Sequence, residues 1–160
     1  MRSVVTIKRT TTRLIGSVVF LAAMSWANLA HAQFGVGSTW VRTDALGKGI
    51  TLTIEACCKG GLRLIYKIPT MGDQPAVTMT VDSPMDGTEV PSLIGGKPSG
   101  QTMAAKRVDD HHYTAVVKMG ATASGTSNGI VSPDGKTMTV ETVTQAGGKS
   151  QKVIETWVRK

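Results

Sequence analysis

Two short turns near the C-terminus constrain this chain more than any other feature. Ser132-Pro133-Asp134-Gly135-Lys136 and Gly147-Gly148 bracket the run Thr137 to Thr144, and a last run closes at Trp157-Val158-Arg159. Turns this tight leave no room for a crossover, so the strands they join must pair as antiparallel neighbours. The same pattern extends back to about residue 50. Ile50, Leu52, Ile54 and Ala56 alternate with Thr51, Thr53 and Glu55; Lys59-Gly60-Gly61 turns the chain; Leu62, Leu64, Tyr66 and Ile68 then alternate with Arg63 and Lys67. A period of two sends one face to a core and the other to water. After the break from Pro69 to Pro75, Val77, Met79 and Val81 make a third strand, and further strands are expected over 101–108, 112–119 and 121–128. The last of these is small and polar, which specifies register weakly. Pro84, Pro91, Gly95-Gly96 and Pro98 read as a long loop over 83–100 carrying one short strand at Thr88 to Val90.

Strands in hairpin order with no helical stripe define an all-β chain. A sheet of this kind must become a sandwich or close on itself to remove its edges. Sandwiches usually need crossovers, and the 83–100 segment is the one long connection available. The expected fold is therefore a single antiparallel up-and-down β-barrel of about eight strands, whose interior is either filled by side chains or holds one small ligand.

Residues 1–32 read as a cleaved signal peptide. Arg2, Lys8, Arg9 and Arg13 precede an uncharged apolar run, Leu14 to Ala30, which ends in Ala30-His31-Ala32, small residues at both peptidase positions. Gly16, Ser17, Ser25 and Asn28 interrupt that run, which falls short of the about 20 residues of a comfortable span, so no stable membrane insertion is expected after cleavage. The periplasm or the exterior is the expected destination. Residues 33–160 then form one domain of a size that supports a single core. Four of the eighteen Lys and Arg leave with the leader while all eleven Asp and Glu stay, so the formal charge falls from +7 to +3. The remaining cations are scattered singly, which argues against a nucleic-acid partner.

Cys57 and Cys58 are adjacent, so the fold cannot rest on a cross-link between distant elements. Alternation sets Cys58 on the apolar face with Leu52 and Ile54 and Cys57 outward, a small buried thiol beside an exposed one. A vicinal disulfide and a redox pair are the rivals, though no C-x-x-C motif supports the latter.

Asp109-Asp110-His111-His112 is the densest polar cluster. Neighbouring histidines on a strand point to opposite faces and cannot grip one ion, so a solvated hairpin turn is expected there, with no metal. The chain has no G-x-S-x-G elbow, and its paired carboxylates sit where turns favour Asp. The expectation is a non-enzymatic protein without catalytic residues or a cofactor. Lys106 and Arg107 must face opposite ways, and Arg107 shares a face with Met103 and Ala105. An inward cation needs a ligand anion or an internal acid such as Glu155 or Glu141. Tyr66, Met79, Met103, Tyr113 and Met119 are expected to line a soft apolar interior.

Ser132 to Val140, the preceding Lys106-Arg107-Val108-Asp109 and the closing Trp157-Val158-Arg159-Lys160 together resemble a group of exported bacterial proteins of unknown function, related in fold to the lipocalin and fatty-acid-binding-protein superfamily. The resemblance spans Thr39 to the C-terminus. Barrels of that superfamily carry a G-x-W near the first strand, whose Trp plugs the closed end beneath an Arg from the last. The resemblance thus implies that Trp40 and Arg159 close this barrel by a cation–π contact, with Ser38 in place of the usual Gly. It also implies a carrier or scavenger of a small apolar or amphiphilic ligand, with Arg107 meeting a polar headgroup. The alternative is a filled barrel serving as a protein-protein interaction module through the 83–100 loop, and interior volume separates the two.

Overall fold

The computed structural model describes residues 35–120, 122–146 and 149–160. The expected leader over 1–32 lies outside the described residues. Ten strands follow in order among the described residues: β1 (Ser38–Arg42), β2 (Thr51–Cys57), β3 (Gly61–Ile68), β4 (Val77–Ser83), β5 (Asp86–Ile94), β6 (Lys97–Arg107), β7 (His112–Met119), β8 (Thr122–Val131), β9 (Thr137–Ala146) and β10 (Lys149–Arg159). Each pairs antiparallel with the next, and β1 pairs with β10, so the sheet is a closed barrel. Closure joins Trp40 to Arg159 and Arg42 to Trp157 as register partners.

The strand number corrects the sequence expectation of about eight. The segment 83–100 is two long strands rather than a loop, because its helix- and sheet-breaking residues all fall where a hairpin tolerates them. Pro84 lies in the β4–β5 turn, and Gly95 and Gly96 make the β5–β6 turn with φ of +56° and +79°, a conformation that favours glycine. Pro91 adjoins a register shift between Pro91 and Leu93, where a missing N–H costs no regular ladder bond.

Hairpins alternate between the two ends of the barrel. The β2–β3, β4–β5, β6–β7 and β8–β9 turns share one end with Gly35 and Lys160, and the opposite ends of the strands lie at the other end of the barrel. Side chains crowd the first end, where Trp40, Ile54, Val81, Val131 and Met138 are fully buried or nearly so. Each such side chain contributes about 1.5–3 kcal/mol of burial, which makes this the stable floor of the molecule.

Trp40 is the centre of that floor. Its indole Nε1 donates to Ser38 Oγ at 2.9 Å, and the Arg159 guanidinium lies 5.9 Å from its ring centroid. Ser38, itself buried, thus supplies an acceptor that a glycine at that position lacks. At the same end Cys57 and Cys58 are joined by a disulfide. This corrects the expected buried and exposed thiols: β2 ends at Cys57, and Cys58 and Lys59 turn the chain with positive φ, leaving Cys58 exposed and Cys57 half-buried.

Candidate functional site: a cavity inside the barrel

Above the floor the interior is hollow. A cavity of about 260 Å³ runs between the strands, floored by Met85, Met138 and Ala105 and opening toward the end opposite Trp40. Its void follows from side-chain size. Beyond Tyr113, the residues of β7 and β8 that line it are Ala115, Val117, Gly125 and Ser127, too small to meet residues from the far wall.

Four of the residues expected to line the interior do so: Tyr66 from β3, Met79 from β4, Met103 from β6 and Tyr113 from β7. Met119 keeps the inward parity of Tyr113 but ends β7 at the mouth, where it is exposed. Arg107 is displaced further. It ends β6 at the floor end, is exposed to solvent, and its backbone N–H donates to Met85 O at 2.9 Å. Its parity was read correctly, since it pairs with Tyr113, but as the last residue of β6 it stands at the rim of the floor end, where it is exposed. The headgroup role expected of it has no geometric basis, since it sits at the opposite end from the opening.

The charged wall of the cavity joins Glu155, read from the sequence only as an internal acid for an inward cation, to Arg42 and Asp44, which sequence reasoning passed over. Glu155 on β10 lines the cavity, and its Oε1 accepts from Arg42 Nη1 at 3.0 Å while its Oε2 accepts from Trp157 Nε1 at 3.1 Å. Arg42, at the end of β1, also donates to both oxygens of Asp44, at 2.6 Å and 3.0 Å. The cluster fills the place where β1 ends and β10 runs on toward the mouth. The side chains of Arg42, Asp44 and Glu155 retain 11%, 16% and 21% of their exposure. Burial pulls the Arg42 pKa down, but the hydrogen bond to Asp44 and the charges of Glu155 and Asp44 outweigh it, and the net shift is upward. Asp44 is held below its ordinary range, chiefly by the Arg42 hydrogen bond, against a smaller opposing effect of burial. The signal was available. Glu155 shares alternation parity with Trp157, and Arg42 with Trp40, so both belong to the inward set of their strands.

Tyr66 and Tyr113 complete the polar lining. Burial raises both phenol pKa values, and the negative charge of Glu155 adds to the effect at each. Both hydroxyls therefore stay protonated and act as neutral hydrogen-bonding groups. Tyr66 meets Trp157 edge to face across the interior, with centroids 6.4 Å apart and planes at 67°.

The Asp109-to-His112 segment lies outside this cavity. His112 Nδ1 sits 2.7 Å from Asp109 Oδ2, and His111 Nδ1 is 3.2 Å from Val131 O, so the two rings are engaged separately. Among the described residues no group of three or more His, Cys, Asp or Glu is placed to hold a metal ion.

Fold and site define a class: a closed ten-stranded antiparallel barrel with a small, mostly apolar chamber and one carboxylate in its wall. No family model, no curated protein and no solved structure matches this chain.

Proposed function

We propose that this protein is an exported carrier or scavenger of a small apolar or amphiphilic molecule, held in the barrel interior without covalent chemistry. The observation that carries the reading is the hollow, mostly apolar cavity of about 260 Å³ above a tightly packed floor. Small-molecule sites are enclosed apolar spaces of this kind with a few convergent polar groups. The same void weighs against the interaction module, which needs a filled centre. Export to the periplasm or exterior is supported by the leader-like residues 1–32 and by the Cys57–Cys58 disulfide, a linkage that persists in oxidising compartments. A closed antiparallel barrel with its Trp40–Arg159 contact fits the proposed relation to the lipocalin and fatty-acid-binding-protein superfamily.

At the ~30 Å³ that a water molecule occupies in the liquid, the cavity holds a ligand of about nine non-hydrogen atoms. Incubating the protein with a mixture of amphiphiles of that size and recording native mass spectra tests the proposal. A retained adduct together with altered emission from Trp157, which lines the cavity, is the expected result. Protein recovered empty from every mixture, with unchanged emission, overturns it.

A further inference from the structure

We infer that the cavity selects a small organic cation, an amine or quaternary ammonium on an apolar body, and disfavours carboxylates. The inference rests on the carrier reading and narrows it to one ligand chemistry. Among the described residues that line the cavity, Glu155 alone carries a charge at neutral pH. No Lys or Arg is among them. Arg42, bonded to Glu155 but not itself in the lining, is shared between two carboxylates, Asp44 and Glu155. One guanidinium against two carboxylates leaves the cluster with an excess of one negative charge, and Glu155 is the member that presents it to the interior.

Glu155 also has capacity to spare. A carboxylate accepts about four hydrogen bonds, and Arg42 and Trp157 occupy one on each oxygen. Around it stand three aromatic residues of the same lining, Tyr66, Tyr113 and Trp157. Trp157 donates to Glu155 at 3.1 Å and is in edge-to-face contact with Tyr66, and both tyrosines line the same chamber as the carboxylate. Ring faces attract a cation, and they do so more strongly where water is excluded. A carboxylate ligand in the same position meets a like charge and finds no lining cation to offset it. A neutral alcohol can hydrogen-bond to Glu155 but gains neither the ion pair nor the ring faces.

Three ligands of one body separate these cases: 2-phenylethylammonium, 2-phenylethanol and phenylacetate, titrated calorimetrically into the purified protein. The expected order is ammonium, alcohol, carboxylate, with the ammonium at least about tenfold tighter than the alcohol, as an ion pair backed by aromatic faces implies. In Glu155→Gln that advantage shrinks to within about threefold, because the ion pair is lost and only the rings remain. Arg42 keeps Asp44 in this variant; should it nevertheless fail to fold, the ranking on the unaltered protein still decides. Alcohol or phenylacetate binding as tightly as the ammonium overturns the inference and leaves the carrier reading standing. Binding of none of the three also overturns it, and the carrier reading falls as well only if the amphiphile mixtures leave the protein empty.

Discussion

Arg42→Met isolates the contribution of the charged wall to stability. The guanidinium makes two bonds to Asp44 and one to Glu155, and its side chain lies over Gly47 so closely that a Cβ there has no room. Gross attraction at about 4 Å is roughly 4 kcal/mol per pair at an effective dielectric of about 20. Desolvation cancels most of that. Breaking a fully buried pair costs about 3–5 kcal/mol, whereas an exposed pair contributes about 0.2–1 kcal/mol. Exposures of 11–21% place this cluster between those limits. The orphaned carboxylates keep some donors, Trp157 Nε1 for Glu155 and the Leu46 and Thr156 amides for Asp44. The expected loss is therefore about 2 kcal/mol at neutral pH, read by urea unfolding. Adding Asp44→Asn and Glu155→Gln removes the uncompensated charges and restores at least about 1 kcal/mol. The pH dependence has a definite sign. The folded-state pKa of Asp44 lies below its ordinary 3.8, so its stabilisation is present above that value and disappears as pH falls through the folded value. The gap between wild type and Arg42→Met should accordingly narrow in acid. A single-variant loss below about 0.5 kcal/mol, or a triple variant no more stable than the single one, refutes the reasoning.

Gly129→Ala places a methyl group into the Tyr113 ring, its register partner across β7 and β8, and that ring lines the cavity. Ligand affinity should drop at least about tenfold while stability falls by only about 1–2 kcal/mol; the reverse pattern in paired titration and unfolding experiments counts against a ligand in the chamber. Ser92 is fully buried and its Oγ has no hydrogen-bond partner among the described residues, so Ser92→Ala is expected to raise the unfolding free energy by about 1 kcal/mol. Trp40→Ala should lower it by about 3–5 kcal/mol and Arg159→Met by about 0.5–1 kcal/mol, measured by thermal and urea unfolding. Equal losses from the two substitutions speak against a floor built on the indole.

The architecture was legible because turn chemistry and alternation are local. Ser132 to Lys136 and the alternating runs of β2 and β3 specify antiparallel neighbours wherever they occur, and closure follows once no edge is protected. The β5–β6 hairpin was not legible, since Pro91 and Pro98 read as breakers when taken singly. Only their register, against Thr102 and Leu93, shows that a bulged barrel strand accommodates them. Four of the lining residues followed from parity. Arg107 and Met119 did not, because parity gives a direction but not a height along the axis, and both fall where their strands end. The Arg42–Asp44–Glu155 cluster unites residues more than a hundred positions apart, a pairing that exists only after β1 has met β10.

That meeting of outer strands has a topological corollary. With Trp40 and Arg159 opposite one another and the Lys160 amide bonded to Thr39 O at 2.8 Å, the sheet is a ring in which no strand is privileged as first. A short linker from Lys160 to Gly35, with new termini cut at Gly95-Gly96, yields a circular permutant that conserves every strand pairing.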